Sequence, residues 1–118
     1  LQTAAYEIYP SAGFDVNGTM QVTENVDGGA RDAVTLQDTE SGRMYPSHSH
    51  TGDCGSGGEI IYPLEPIPGG PESMVTTIEA SVFDVINSDL YINIHEPDDL
   101  SAIVACGEIG LGASDPWR

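Results

Sequence analysis

The sequence predicts an all-β domain of short antiparallel strands joined by tight turns, and three observations carry that expectation. Fourteen glycines and eight prolines are spread through 118 residues. Val, Ile, Thr and Tyr dominate the apolar segments, and no long stretch of Ala, Leu, Glu, Lys and Gln offers a helix. Segments with strand character recur at short intervals with turn chemistry between them. A chain of this length makes one domain and buries roughly two thirds of the surface its unfolded form exposes, so a real core is possible.

Taken in order, residues 6–9 form a first strand that ends at Pro10-Ser11-Ala12-Gly13, and residues 18–24 alternate into Asn25-Val26-Asp27-Gly28-Gly29. Together they read as a hairpin. Residues 33–37 are a third strand and 43–50 a fourth, followed by a loop over 51–58. Residues 59–64 are extended and lead into a Pro/Gly stretch through Pro71. Further strands are expected over 74–80, 91–95 and 103–107, the last running on to Leu111. In residues 81–86, Val82, Val85 and Ile86 have helical spacing while the residue types suit a strand, and a short turn or edge strand is the expectation. The domain is placed at residues 1–112, with 113–118 as a tail. Neither an internal repeat nor a domain linker interrupts it. Asn17-Gly18-Thr19 is a formal glycosylation sequon and carries little weight by itself.

Nineteen acidic residues face three arginines, Arg31, Arg43 and Arg118, and there is no lysine, so the formal net charge is −16. Such a field repels polyanions and slows small anionic substrates, which argues against nucleic acid as a partner. It suits solubility in salty water, as in a halophilic or marine source, and equally a surface that attracts cations. No apolar run approaches the ~20 residues that span a bilayer, so membrane insertion is not expected. The chain begins at Leu1 without an initiator methionine. That fits a mature chain whose signal peptide has been removed, although an arbitrary boundary would look the same. Cys54, in a Gly-rich loop, and Cys106, at the end of an apolar strand, suit a structural disulfide in an oxidising compartment; two free thiols are the other reading. The expected location is therefore secreted, periplasmic or cell-surface.

His48-Ser49-His50 lies on an expected strand, whose two-residue period puts both imidazoles on one face. His95 ends another expected strand, so all three histidines of the chain stand at strand ends or strand–loop junctions. Imidazole suits copper and zinc, and copper(II) heads the stability order among first-row divalent ions. Three neutral imidazoles can hold Cu(I) in a plane, but a His-x-His pair alone is a weak signal that an ordinary polar surface would equally produce.

The order His48-Ser49-His50-Thr51-Gly52-Asp53-Cys54, then Asn93-Ile94-His95-Glu96-Pro97-Asp98-Asp99-Leu100, then Ala105-Cys106-Gly107-Glu108-Ile109-Gly110 resembles the copper/zinc superoxide dismutases. The resemblance implies an eight-stranded Greek-key barrel with copper outside the barrel wall and a disulfide pinning a loop to the last strand. It implies that His48, His50 and His95 match three of the family's four copper ligands, and that Cys54 and Cys106 match its disulfide. The departures are equally specific. Gly57-Gly58-Glu59-Ile60 stands where the family's metal-bridging histidine belongs, and no further histidine exists for a zinc loop, so zinc is not expected. Only ten residues separate His95 from Cys106, and Ile103 occupies the place of the arginine that guides superoxide.

These losses leave the ligand set that the family keeps in its reduced state, so the site is expected to favour Cu(I) and to cycle poorly. Glu59 is a tentative oxygen ligand for Cu(II). Met44 shares strand parity with the histidines and is expected as a core methionine rather than a thioether ligand. Asp98 and Asp99 are expected to organise the turn after His95. The implied function is a copper-binding domain acting in carriage, buffering or tolerance with little dismutase activity, served by a copper donor or acceptor protein. A copper-only superoxide dismutase and a structural β domain without metal are the alternatives. Oligomeric state is not legible.

Overall fold

A computed structural model describes residues 2–113. Its strands are β1 (Thr3–Pro10), β2 (Asn17–Glu24), β3 (Ala30–Gln37), β4 (Met44–Tyr45), β5 (Ser47–Thr51), β6 (Ile60–Pro63), β7 (Ile67–Pro68), β8 (Ser73–Ile78), β9 (Asp89–Glu96) and β10 (Asp99–Gly110), with one helix, α1 (Val82–Ile86), between β8 and β9. Eight strands make one sheet in the order β6-β5-β9-β10-β1-β2-β3-β8, every neighbour antiparallel, and it curls into a nearly closed barrel. β4 and β7 pair separately. The expected hairpin is β1–β2, in which Tyr6 faces Met20 across the pair.

Alternation makes the barrel interior. In β2, Met20 and Val22 are buried while Thr19 and Gln21 are exposed, and in β3 Ala30, Val34 and Leu36 point inward between outward Arg31 and Gln37. These meet Ile8 from β1, Ile92 and Ile94 from β9 and Ile109 from β10 in one apolar cluster. Full burial of a large aliphatic side chain is worth about 1.5–3 kcal/mol, so this cluster supplies the main force for closing the sheet.

Three details depart from expectation. Residues 43–50 are not one strand, because Pro46 has no N–H to give to a ladder: β4 ends before it and β5 begins after it. Met44 is 46% exposed on β4 rather than in the core; Tyr45 fills the interior there instead, its hydroxyl accepting the Glu40 N–H at 2.9 Å. Residues 82–86 are helical rather than an edge strand. The Ser81 side chain accepts the Asp84 N–H at 3.0 Å as an N-cap, and Val82 and Val85, three apart, are both buried against β1, β2 and β10. Local capping and helical spacing outweighed the β-branched residue types. Residues 111–113 close with a 3₁₀ turn, and the rest of the expected tail, 114–118, lies outside the described residues.

Asp32 breaks the apolar pattern of β3. It points inward, only 2% exposed, with Oδ1 lacking a hydrogen-bond partner, and burial pushes its carboxyl up to about 7. In the unfolded chain the same group ionises near pH ~4. Between those values the native state holds more protons than the unfolded state, so Asp32 lowers stability as pH rises through this window and its effect levels off above it. The total is roughly 4 kcal/mol at about 1.4 kcal/mol per pKa unit. Asp32→Asn should therefore flatten the pH dependence between about 4 and 7 and be more stable than the parent at pH 8. Urea melts across that pH range check this, and parallel pH profiles for the two proteins would count against it.

Candidate metal centre

β5 lies between β6 and β9, and its burial alternates: Ser47 and Ser49 point into the barrel, His48 and His50 point out of it. On β9 the inward residues are Leu90, Ile92 and Ile94, which leaves Tyr91, Asn93 and His95 on the same outer face as the two β5 histidines. The β5–β9 register sets His50 opposite Tyr91 and His48 opposite Asn93, so His95 stands diagonally from His48. One potential ligand nitrogen from each histidine falls within 4.8 Å of the others, and among the described residues this is the one group of three or more His, Cys, Asp or Glu so gathered.

Two of the ring nitrogens, His50 Nε2 and His95 Nδ1, are buried without a hydrogen-bond partner. His48 Nδ1 lies 3.3 Å from His95 Nε2, and at most one of these two can carry a proton toward the other. His50 Nδ1 donates to the Gly58 carbonyl at 2.9 Å. With its one proton so used, the neutral ring has a bare Nε2, which is buried without a protein partner. A buried polar atom without a partner costs about 1–3 kcal/mol, and coordination to a cation would remove that cost. Burial pushes the His48 pKa down, and the neighbouring His95 and His50 push it further. His95, 8% exposed, is likewise lowered by burial and by His50; the nearby Leu100 carbonyl opposes this, although His95 Nδ1 makes no hydrogen bond of good geometry. Neutral imidazole is the form that binds metal, so both shifts favour coordination. The donor set fits a metal ion with a taste for nitrogen.

The loop from Thr51 to Gly58 packs against the Tyr91 end of this outer face. Cys54 is disulfide-bonded to Cys106 of β10, with a Cα–Cα distance of 6.1 Å, and the Cys54 N–H donates to Glu108 Oε2 at 2.9 Å. The returning end is fixed at Gly58, whose N–H donates to the Tyr91 hydroxyl at 2.9 Å and whose carbonyl takes the His50 proton. Any side chain at position 58 would collide with the Thr51 carbonyl, the ideal Cβ lying 1.6 Å from that oxygen. Under the loop, Tyr91 is 1% exposed although it faces away from the barrel interior.

The turn after His95 is held from the other side. Arg43 reaches Asp98 Oδ2 at 2.6 Å, Glu40 Oε2 at 3.1 Å and Glu96 Oε1 at 3.7 Å, tying the β9–β10 turn to the segment before β4. Asp99 caps its own turn by accepting the Ser101 N–H at 2.9 Å and the Ser101 hydroxyl, and these bonds hold its carboxyl below the usual range. The pair thus divides the expected role: Asp99 shapes the turn and Asp98 anchors it.

All three expected histidines come together, and the two cysteines are bonded. Glu59 is exposed and lies outside the three-histidine group; its backbone carbonyl accepts the Thr51 N–H at 2.9 Å. Gly58, Tyr91, Arg43 and Glu108 were not singled out from sequence. For Tyr91 a signal existed, its strand parity with His95. No protein-family model, curated protein or solved structure matches the chain.

Replacing both Cys54 and Cys106 by Ser opens a crosslink of sequence separation 52, and the loop-entropy model predicts a loss of about 4 kcal/mol of stability. Because the loop also carries the Gly58 carbonyl, the variant should bind metal more weakly even at temperatures where it stays folded. Calorimetric titration below its melting transition is the check, and an unchanged affinity would detach the bridge from the site.

Proposed function

We propose that this is a secreted copper-binding domain of superoxide dismutase-like type, which carries, buffers or sequesters copper and has little dismutase activity. The observation that carries the reading is the buried, unpartnered Nε2 of His50, in a group where one ring nitrogen of each of the three histidines lies within 4.8 Å of the others. Three neutral imidazoles with no carboxylate in the group suit Cu(I), and copper leads zinc in the stability order for nitrogen donors. The motif resemblance around all three histidines supports copper over other ions. The disulfide supports an oxidising compartment, and no helix of the described residues is long and apolar enough to cross a membrane. A copper donor or acceptor protein follows from the carriage role.

What argues against a fast dismutase is electrostatic. Superoxide is an anion, and the chain carries a net charge of −16. Arg43 is engaged by three carboxylates and offers little uncompensated positive charge to draw an anion in. The residue at the family's guiding-arginine position is Ile103.

Titrating the metal-free protein with Cu(I) and with Cu(II), each against a competing chelator, should give saturable one-to-one binding that is tighter for Cu(I). His48→Ala should weaken it by more than the ~10–100-fold typical of losing a residue that merely supports a ligand. Binding that is unsaturable, or unchanged in His48→Ala, would sink the copper reading and leave a structural β domain. Superoxide decay measured with the copper-loaded protein should be no faster than with loosely held copper. A rate constant approaching ~10⁹ M⁻¹s⁻¹ would replace carriage with catalysis.

A further inference from the structure

We propose that Tyr91 is a positioning residue which, with the Gly58 peptide, clamps His50 in one orientation and one tautomer so that its Nε2 is presented to the metal. Its consequence for copper rests on the function proposed above; the clamp itself does not.

The two rings are directly cross-strand partners, and they stack with centroids 4.9 Å apart and planes 10° from parallel. An offset parallel pair at this distance is a favoured aromatic geometry. It restricts rotation of the imidazole about its bond to the strand. Stacking alone permits the ring to be turned over, which would exchange Nδ1 and Nε2. The Gly58 carbonyl removes that freedom by taking a hydrogen bond from Nδ1 at 2.9 Å. Gly58 is itself placed by Tyr91, whose hydroxyl receives the Gly58 N–H at 2.9 Å. One peptide residue therefore joins the two stacked rings edge to edge, through its N–H on the tyrosine and its C=O on the histidine. Tyr91 acts on His50 twice, by its face and by way of Gly58.

The ordinary reading of a buried tyrosine is that it fills space beneath a loop. Two features set this one apart. It lies outside the apolar core cluster, on the outer face shared with His95, and its ring covers a histidine whose other nitrogen is left bare and buried. The glycine is required in turn, since the loop passes too close to Thr51 for a side chain. A ligand locked before the metal arrives loses less freedom on binding, which raises affinity without a new contact.

The experiment compares Tyr91→Phe, which keeps the stack and loses the hydroxyl, with Tyr91→Leu, which loses both. Tyr45→Phe and Tyr45→Leu are the controls, because Tyr45 is also buried and also accepts a backbone N–H through its hydroxyl, but its ring belongs to the apolar core cluster rather than to the outer face that carries His50. Two readouts are taken at pH 8: the ¹⁵N shifts of His50 in the metal-free protein, which report where the ring proton sits, and Cu(I) affinity by chelator competition. Tyr91→Leu should move His50 from one tautomer to a mixture and weaken copper about 10–100-fold, the range for groups that orient a ligand. Tyr91→Phe should fall between it and the parent, and the Tyr45 variants should change melting temperature alone. The clamp is overturned if Tyr91→Leu leaves the His50 shifts at their parental values, or if a Tyr45 variant of equal melting temperature alters them as much. Should the parent protein fail to bind copper, the proposed function falls, while the metal-free ¹⁵N shifts still decide the clamp.

Discussion

The antiparallel pairing of β5 with β9 is the constraint on which the rest depends. Its register, from Ser47 opposite Ile94 to Thr51 opposite Leu90, assigns every side chain on both strands to the barrel interior or to the outer face. A slip of one residue would turn Ile92 and Ile94 outward and bury His95 in the core. The apolar interior thus enforces the geometry of a polar site it never touches. Residues 47 apart in sequence meet at 3.3 Å because the core has only one acceptable register.

That face would ordinarily be open to water. Here β9 is buried along almost its whole length on both sides, one side by the core and the other, at Tyr91, by the crosslinked loop. The loop turns part of an exposed strand surface into a shallow interior, where burial works against the charged forms of His48 and His95 and where a hydrogen bond from Gly58 is shielded from solvent competition. Arg43 performs a matching task at the opposite border, where the chain turns from β9 into β10. The geometry of the three histidines is in this way referred to two attachments, one covalent and one ionic, on either side of the rings.

How much of this was readable in the residues depends on range. Alternation in residues 18–24 announced β2, because a strand with one wet face writes its period into the sequence, and strand-forming residue types in 33–37 announced β3. His48 and His50 could be placed on one face by the same period. His95 could be joined to them only through the family resemblance, since strand pairing across forty residues leaves no local trace. The helix at residues 82–86 was obscured by Val and Ile, and its decisive signal was the single capping hydroxyl of Ser81. Pro46 was visible, yet its effect in dividing a strand depends on whether a neighbour needs the missing N–H. Tyr91 looked like any strand tyrosine, because its role comes from which residue the register sets opposite it.

The sheet has two ends, β6 and β8, and the β6 end exposes Ile60 and Ile61, at 52% and 43%. An apolar edge of this kind is a template for a second chain to extend, and the strand is blunted only by its shortness and by Pro63. A charge of −16 on each molecule adds a long-range repulsion that keeps two such edges from meeting. Salt screens that repulsion over a few ångströms at molar concentration. The acidic coat and the unfinished barrel are therefore linked: electrostatic distance does for the edge what a closing strand would otherwise do, and the ionic strength of the surroundings sets how well.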